Sequence, residues 1–213
     1  AERGNHPTEA ESVTESDPFT ATFERVARLS CWSGEVSPEP LLGGITNTNF
    51  LVRDGEQKYV VRVGEDLPLH GILRTHEVAA SRAAHGVGLA PEIVHSEPGV
   101  LVMRFIQGAT LTAEDVANKQ MLDRLAVLLH VCHDLMKEHL HAATPMFRVF
   151  QVCRNYLHSA RVENIRLADH VARLDVMNVE LEDAVGEIES AFCHNDLLSS
   201  NFIDDGDRIW LID

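Results

Sequence analysis

The feature that most limits how this chain folds is a change of hydrophobic period near residue 107. Between 39 and 106 the apolar residues fall into short strand-like runs. PLLGGITNTNFLVRDGEQKYVVRV reads as three strands, with Gly43-Gly44 in the first turn and a hairpin at Asp54-Gly55. A helix follows over about 74 to 85, with Gly86 and Gly88 as stop signals. Ile93 to Ser96 and Val100 to Phe105 then form a second hairpin around Glu97-Pro98-Gly99. Beyond Gly108 the pattern is helical to about 189. Thr112 and Asp115 resemble a capping box with Asp in place of Glu, and Met121 to Met136 is a long amphipathic run. Strand signals return only at Ala191-Phe192-Cys193, Phe202-Ile203 and Arg208 to Ile212, the last two joined by a turn at Asp205-Gly206. The expected fold class is therefore α+β, with an antiparallel sheet of about five strands followed by a mainly helical part carrying one small hairpin.

Upstream, residues 1 to 17 are polar and acidic without apolar periodicity and read as a disordered tail. Asp17 can cap a helix that begins at Pro18 and repeats Phe19, Phe23, Val26 and Leu29 on one face. Two lobes are expected, over 18–106 and 107–213.

Composition narrows the function. The chain has 213 residues, 45% of them hydrophobic, enough for one large domain or two small lobes. Its net charge is -15, from 33 acids against 18 Lys plus Arg, which argues against nucleic-acid partners because phosphate neutralisation needs a basic face. Cys31, Cys132, Cys153 and Cys193 form no C-x-x-C pair, so zinc and redox-motif readings are poor and free thiols are expected. No apolar run is long enough to span a membrane, and the N-terminal residues lack a signal pattern; the expected location is cytoplasmic. His130 and His133 lie three apart on one helix, but no third ligand has a convincing position, so packing or solvent exposure is favoured for them and for the His139/His141 pair.

The stretch FCHNDLLSSNF, 192 to 202, suits neither a buried strand nor a helix. It reads as a loop built for chemistry. Phosphoryl transfer needs a carboxylate near the acceptor hydroxyl, oxygen ligands for Mg²⁺, a cation on the phosphates and a backbone cradle over them. Asp196 and Asn201 are five apart on this loop, and Asp213 lies twelve further on, at the far end of a small hairpin. That arrangement folds Asn201 and Asp213 toward one another, so that both can share a metal while Asp196 faces the acceptor. His194 is read as bracing the loop rather than acting as a base.

HNDLLSSN is similar to the catalytic loop of the protein-kinase-like superfamily, H-x-D-x-x-x-x-N. Asn after the His, followed by Leu-Leu-Ser, resembles the choline/ethanolamine kinase branch; aminoglycoside phosphotransferases more often carry Gly there. Leu211-Ile212-Asp213 resembles the family's second metal-binding motif. GGITNTNF resembles its phosphate loop, in which Gly43, Gly44, Thr46, Asn47 and Asn49 would cover phosphates. VVRV places Arg62 where protein kinases have Lys, with Glu77 on the next helix to hold it by an ion pair. LVMRFIQG resembles the hinge between lobes, where backbone groups of Arg104 and Ile106 would meet the adenine.

The resemblance covers about 18 to 213. It implies a protein-kinase-like two-lobed fold with a truncated helical lobe, using ATP and Mg²⁺ to phosphorylate choline or ethanolamine. The implied partner is a small amino alcohol. The chain ends where relatives continue into aromatic-rich helices, so a fragment of a longer protein is favoured over a degenerate one. A kinase for an aminoglycoside, thiamine or another amino alcohol, or a nucleotide-binding pseudokinase, stays open as an alternative.

Overall fold

The computed structural model describes residues 18–41, 47–68, 72–141, 146–163 and 168–213. Gly43, Gly44 and Thr46 lie outside them, as does the expected tail. The chain forms two compact units, one made of residues up to Gly64 with Val94–Phe105, the other of Glu65–Ile93 with Ile106–Asp213.

The first unit is built on short apolar strands paired antiparallel. Helix α1 (Pro18–Ala27) leads into strands β1 (Glu39–Leu41), β2 (Thr48–Asp54) and β3 (Gln57–Val63). After helix α2 (Arg74–Gly86), β4 (Ile93–Glu97) and β5 (Val100–Arg104) complete a five-stranded sheet in the order β1-β2-β3-β5-β4. The turns fix the register. Gly55 adopts φ 60° and Gly99 φ 74°, conformations open to glycine without steric cost. Pairing of Asp54 with Gln57 then sets Phe50 opposite Val61, and Val61 opposite Val102.

Phe50, Val52, Val61, Val100 and Val102 therefore share one buried face, and Val26 and Leu29 of the α1 segment join them. Phe23 meets the Phe50 ring edge-on at 6.5 Å, and Trp32 lies 5.5 Å from Tyr59 while donating its indole N–H to the Val26 carbonyl at 2.8 Å. A polar tie closes the edge. Arg25 donates to Glu97 at 2.9 Å and holds its carboxyl below the usual range.

In the second unit, α2 ends at the expected glycines. Gly86 is its last helical residue, and a Cβ there would meet His139 Nδ1 at 2.9 Å. The left-handed turn falls at Gly88, φ 77°. Next come β6 (Ala109–Thr110), α3 (Ala113–Ala117) and α4 (Lys119–Leu135), the last running into a 3₁₀ turn over Met136–His139. The Thr112–Asp115 capping box forms as expected. Helices α5 (Val149–Val162) and α6 (Ala168–Val185) pack on one another through Asn178, which donates to the Phe150 carbonyl at 3.1 Å, and through Arg154–Glu182 and Arg161–Asp175 ion pairs.

Strands β7 (Phe202–Asp204) and β8 (Ile209–Leu211) make the expected small hairpin. It is not alone: β6 adds a third strand, in the order β6-β7-β8. A two-residue strand has no period to read, so this pairing has no signature in the sequence. The strand signal at Ala191-Phe192-Cys193 does not become a strand. Ala191 and Cys193 are exposed, and only Phe192 packs against the core, so no described ladder stabilises an extended run there. The core of this unit joins Phe202, Ile209 and Leu211 of the hairpin to Leu125, Leu128 and Cys132 of α4 and to Ala83 and Ala84 of α2.

Candidate active site

The loop before β7 is organised by its own backbone. Asn195 sits at φ 64°, the single non-glycine residue with positive φ among the described ones. That turn lets His194 fold back, so that its Nδ1 accepts the Asp196 N–H at 3.2 Å. A ring nitrogen that accepts carries no proton, so the neutral ring holds its hydrogen on Nε2. Nε2 contacts the Asp213 carbonyl, to which it donates. His194 is thus a strut joining the Asp196 backbone to the end of the hairpin, as expected from the sequence, and it stacks at 6.5 Å on Phe202. Both ring nitrogens are engaged, which leaves none for general-base work.

The carbonyl of Asp196 collects two donors, the Leu198 N–H at 2.9 Å and Asn201 Nδ2 at 3.1 Å. Because an amide nitrogen must face that carbonyl, the Asn201 Oδ1 points elsewhere and is the atom open to a cation. Ile212 N–H donates to the Asn201 carbonyl at 3.0 Å, so Asn201 and Asp213 enter and leave the β7–β8 ladder side by side. Leu211 N–H donates to the Leu89 carbonyl at 2.8 Å and anchors β8 to the segment after α2. An amide oxygen and a carboxylate are hard donors that suit Mg²⁺, which keeps several waters and takes few protein ligands. The donor set fits that ion. The Asp196 side chain is exposed.

Arg62 is on β3, opposite Asn49 on β2 and Leu101 on β5, and is buried at 8% exposure, an uncommon setting for a guanidinium. Asn47 Oδ1 is buried and has no hydrogen-bond partner among the described residues. Glu77 is in the first turn of α2, where Arg74 Nη1 donates to it at 2.8 Å. That i, i+3 contact is one the sequence reading did not name. Arg104 closes β5 with its guanidinium 5.4 Å from the Tyr59 ring and donating to Gln57 at 2.7 Å. Ile106 opens the second unit's longer segment, half-buried.

The antiparallel-sheet unit and the mainly helical unit with its H-x-D-x-x-x-x-N loop define a protein-kinase-like fold. The chain belongs to the choline/ethanolamine kinase family, whose model matches residues 39–213. It is 26% identical over 186 residues to the protein LicA of Haemophilus influenzae, a match covering 83% of this chain and 52% of that protein. It is 27% identical over 175 residues to ethanolamine kinase 2 of Mus musculus, covering 78% and 44%. Among solved structures, the ethanolamine kinase of Plasmodium vivax superposes with a TM-score of 0.67 at 24% identity, covering 84% of this chain and 55% of that one. A structure of LicA in complex with AMP superposes at 0.54 and 24% identity, covering 91% and 67%. The chain spans about half the length of the curated relatives it matches. No helix among the described residues is long and apolar enough to cross a membrane.

Proposed function

We propose that the protein transfers the γ-phosphoryl group of ATP to the hydroxyl of choline or ethanolamine. The observation that carries this reading is the Asp196–Asn201–Asp213 set, tied together by His194 and by the Ile212–Asn201 hydrogen bond. The family membership and the AMP-bound LicA neighbour support a nucleotide as donor. In the reaction the acceptor oxygen bonds to the γ-phosphorus, the bond from that phosphorus to the bridging oxygen of ADP breaks, and the hydroxyl proton leaves to a base.

Asp196 is that base or orienting group. Its carboxylate is exposed while its backbone is held at both ends, so the side chain meets an incoming hydroxyl from a fixed origin. Asn201 Oδ1 and Asp213 would hold Mg²⁺, which would supply positive charge against the charge that builds on the phosphates. Arg62 supplies a permanent cation for the phosphates, and Asn47, before β2, and Asn49, in it, supply amide groups; Gly43, Gly44 and Thr46 keep the phosphate-covering role expected from the sequence. The proposed location is cytoplasmic, where ATP and Mg²⁺ are plentiful.

The test is ADP release by the full-length protein with Mg²⁺ and choline, ethanolamine, thiamine or an aminoglycoside, with Asp196→Asn alongside. Choline- or ethanolamine-dependent turnover that falls by about 10²- to 10⁴-fold in the variant, with ATP binding kept, is the expected result. Turnover with a different acceptor alone would discard the substrate and keep the chemistry. ATP binding with no turnover on any acceptor would favour a pseudokinase.

A further inference from the structure

The β7–β8 hairpin that carries Asn201 and Asp213 at its open end has three residues per strand. Such a hairpin is marginal on its own. One of its ends is anchored by buried Phe202 and Leu211 and by the Leu89 carbonyl. At the opposite end stands Asp204, the last residue of β7. Arg124 of α4, 80 positions earlier in the chain, grips its carboxylate with both guanidinium nitrogens, Nη1 to Oδ2 and Nη2 to Oδ1, the latter at 2.8 Å. The same Oδ1 accepts the Gly206 N–H at 3.0 Å, so one carboxylate ties strand, turn and helix together. Asp115 and Asp205 also lie within electrostatic reach of Asp204, and Arg124 on Asp204, with Arg208 near Asp205, offsets this local negative charge.

We infer that Arg124 is a positioning residue for the metal-binding hairpin: through the forked contact with Asp204 it fixes the β7–β8 ladder against α4, and so fixes Asn201 and Asp213. This rests on the proposed role of those two residues. A fork is needed because a single hydrogen bond leaves the strand free to rotate about it, whereas two parallel bonds set direction as well as distance. Without Arg124, Asp204 faces Asp115 and Asp205 with only the Gly206 N–H on its carboxylate, the turn end of the ladder frays, and the Ile212–Asn201 hydrogen bond at the other end loses the rungs that support it. The fork is made to Asp204, at the end of the ladder opposite Asn201 and Asp213, so Arg124 acts on them through the hairpin.

The experiment compares the full-length protein with Arg124→Met, Arg124→Lys and Asp204→Asn. It titrates Mn²⁺, as a spectroscopic stand-in for Mg²⁺, by electron paramagnetic resonance with a non-hydrolysable ATP analogue bound. Amide exchange of the metal-free proteins is measured in parallel. Arg124→Met and Asp204→Asn should each weaken Mn²⁺ binding by about tenfold, the low end of what outer partners of metal ligands cost. Arg124→Lys, which keeps the charge and loses the fork, should fall between. The Leu211 and Ile212 amides should exchange faster in the Met and Asn variants, while amides of α6 keep the parent's rates. Folded variants with the parent's Mn²⁺ affinity would overturn the inference while leaving the proposed function standing. Absence of Mn²⁺ binding in the parent would remove both.

Discussion

The two sheets of this protein are held in place by different means. The five-stranded sheet has seven-residue strands at β2 and β3, two glycine turns and a continuous buried face of Phe50, Val52, Val61, Val100 and Val102. Its register follows from its own side chains. The three-stranded sheet has strands of two and three residues, too short to fix themselves. It is located by what surrounds it: the Leu89 carbonyl, the Arg124 fork, the His194 strut and the α4 core. Asn201 and Asp213 flank the second kind of sheet. A short ladder with many external ties can place a few atoms well without a large apolar face of its own.

That contrast can be broken most forcefully in the large sheet. Phe50 is fully buried against Phe23, so Phe50→Ala should lower stability by about 3–5 kcal/mol, read from urea unfolding midpoints. A loss below about 1 kcal/mol would mean that the sheet is not supported by its own face. In the small sheet the sharper probe is Gly108→Ala. A Cβ there would meet the Asp204 carbonyl oxygen at 2.5 Å and Ile203 Cγ2 at 2.6 Å, so backbone must move. The expected cost is about 1–3 kcal/mol. Exchange should quicken at Leu111, whose N–H donates to the Phe202 carbonyl, and stay unchanged at Val61. Equal quickening at both sites would show that the two sheets are one cooperative unit.

The smallest effect concerns pH. Arg124 foremost holds the Asp204 carboxyl below its ordinary value of 3.8. Between the two values the unfolded chain binds more protons than the folded one, so stability there rises with pH. The contribution is complete above pH 3.8 and is lost as the pH falls through the lowered folded value. Exchange at Leu211 and Ile212, corrected for intrinsic rates, should therefore increase on acidification from about pH 5 to about pH 3. The acid-dependent part should be smaller in Asp204→Asn. An unchanged profile in that variant would locate the acid response elsewhere.

The same division explains what could be read from the sequence. Strands β2 to β5 were legible because strand-like apolar runs extend for five to seven residues, continuous in β5, and the turns carry Asp54-Gly55 and Pro98-Gly99. The loop around Asp196 was legible because its members sit within eight residues, and a local spacing survives without a three-dimensional context. Strand β6 was not, since Ala109-Thr110 has no period, and neither was the Arg124–Asp204 contact, whose partners are 80 residues apart. The Ala191-Phe192-Cys193 run misled for the opposite reason: its apolar character serves a single packing contact by Phe192 rather than a ladder.

The positive φ of Asn195 bears on how related sequences should be read. For most side chains that backbone conformation costs about 1–2 kcal/mol, while Gly adopts it freely and Asn tolerates it. A position under that restriction has a short alphabet, led by Gly and Asn. Asn and Gly there would place His194 and Asp196 alike and differ chiefly in the freedom the unfolded chain gives up. The letter at 195 is thus a record of chain entropy, and the identity of the acceptor has to be sought in residues that touch it.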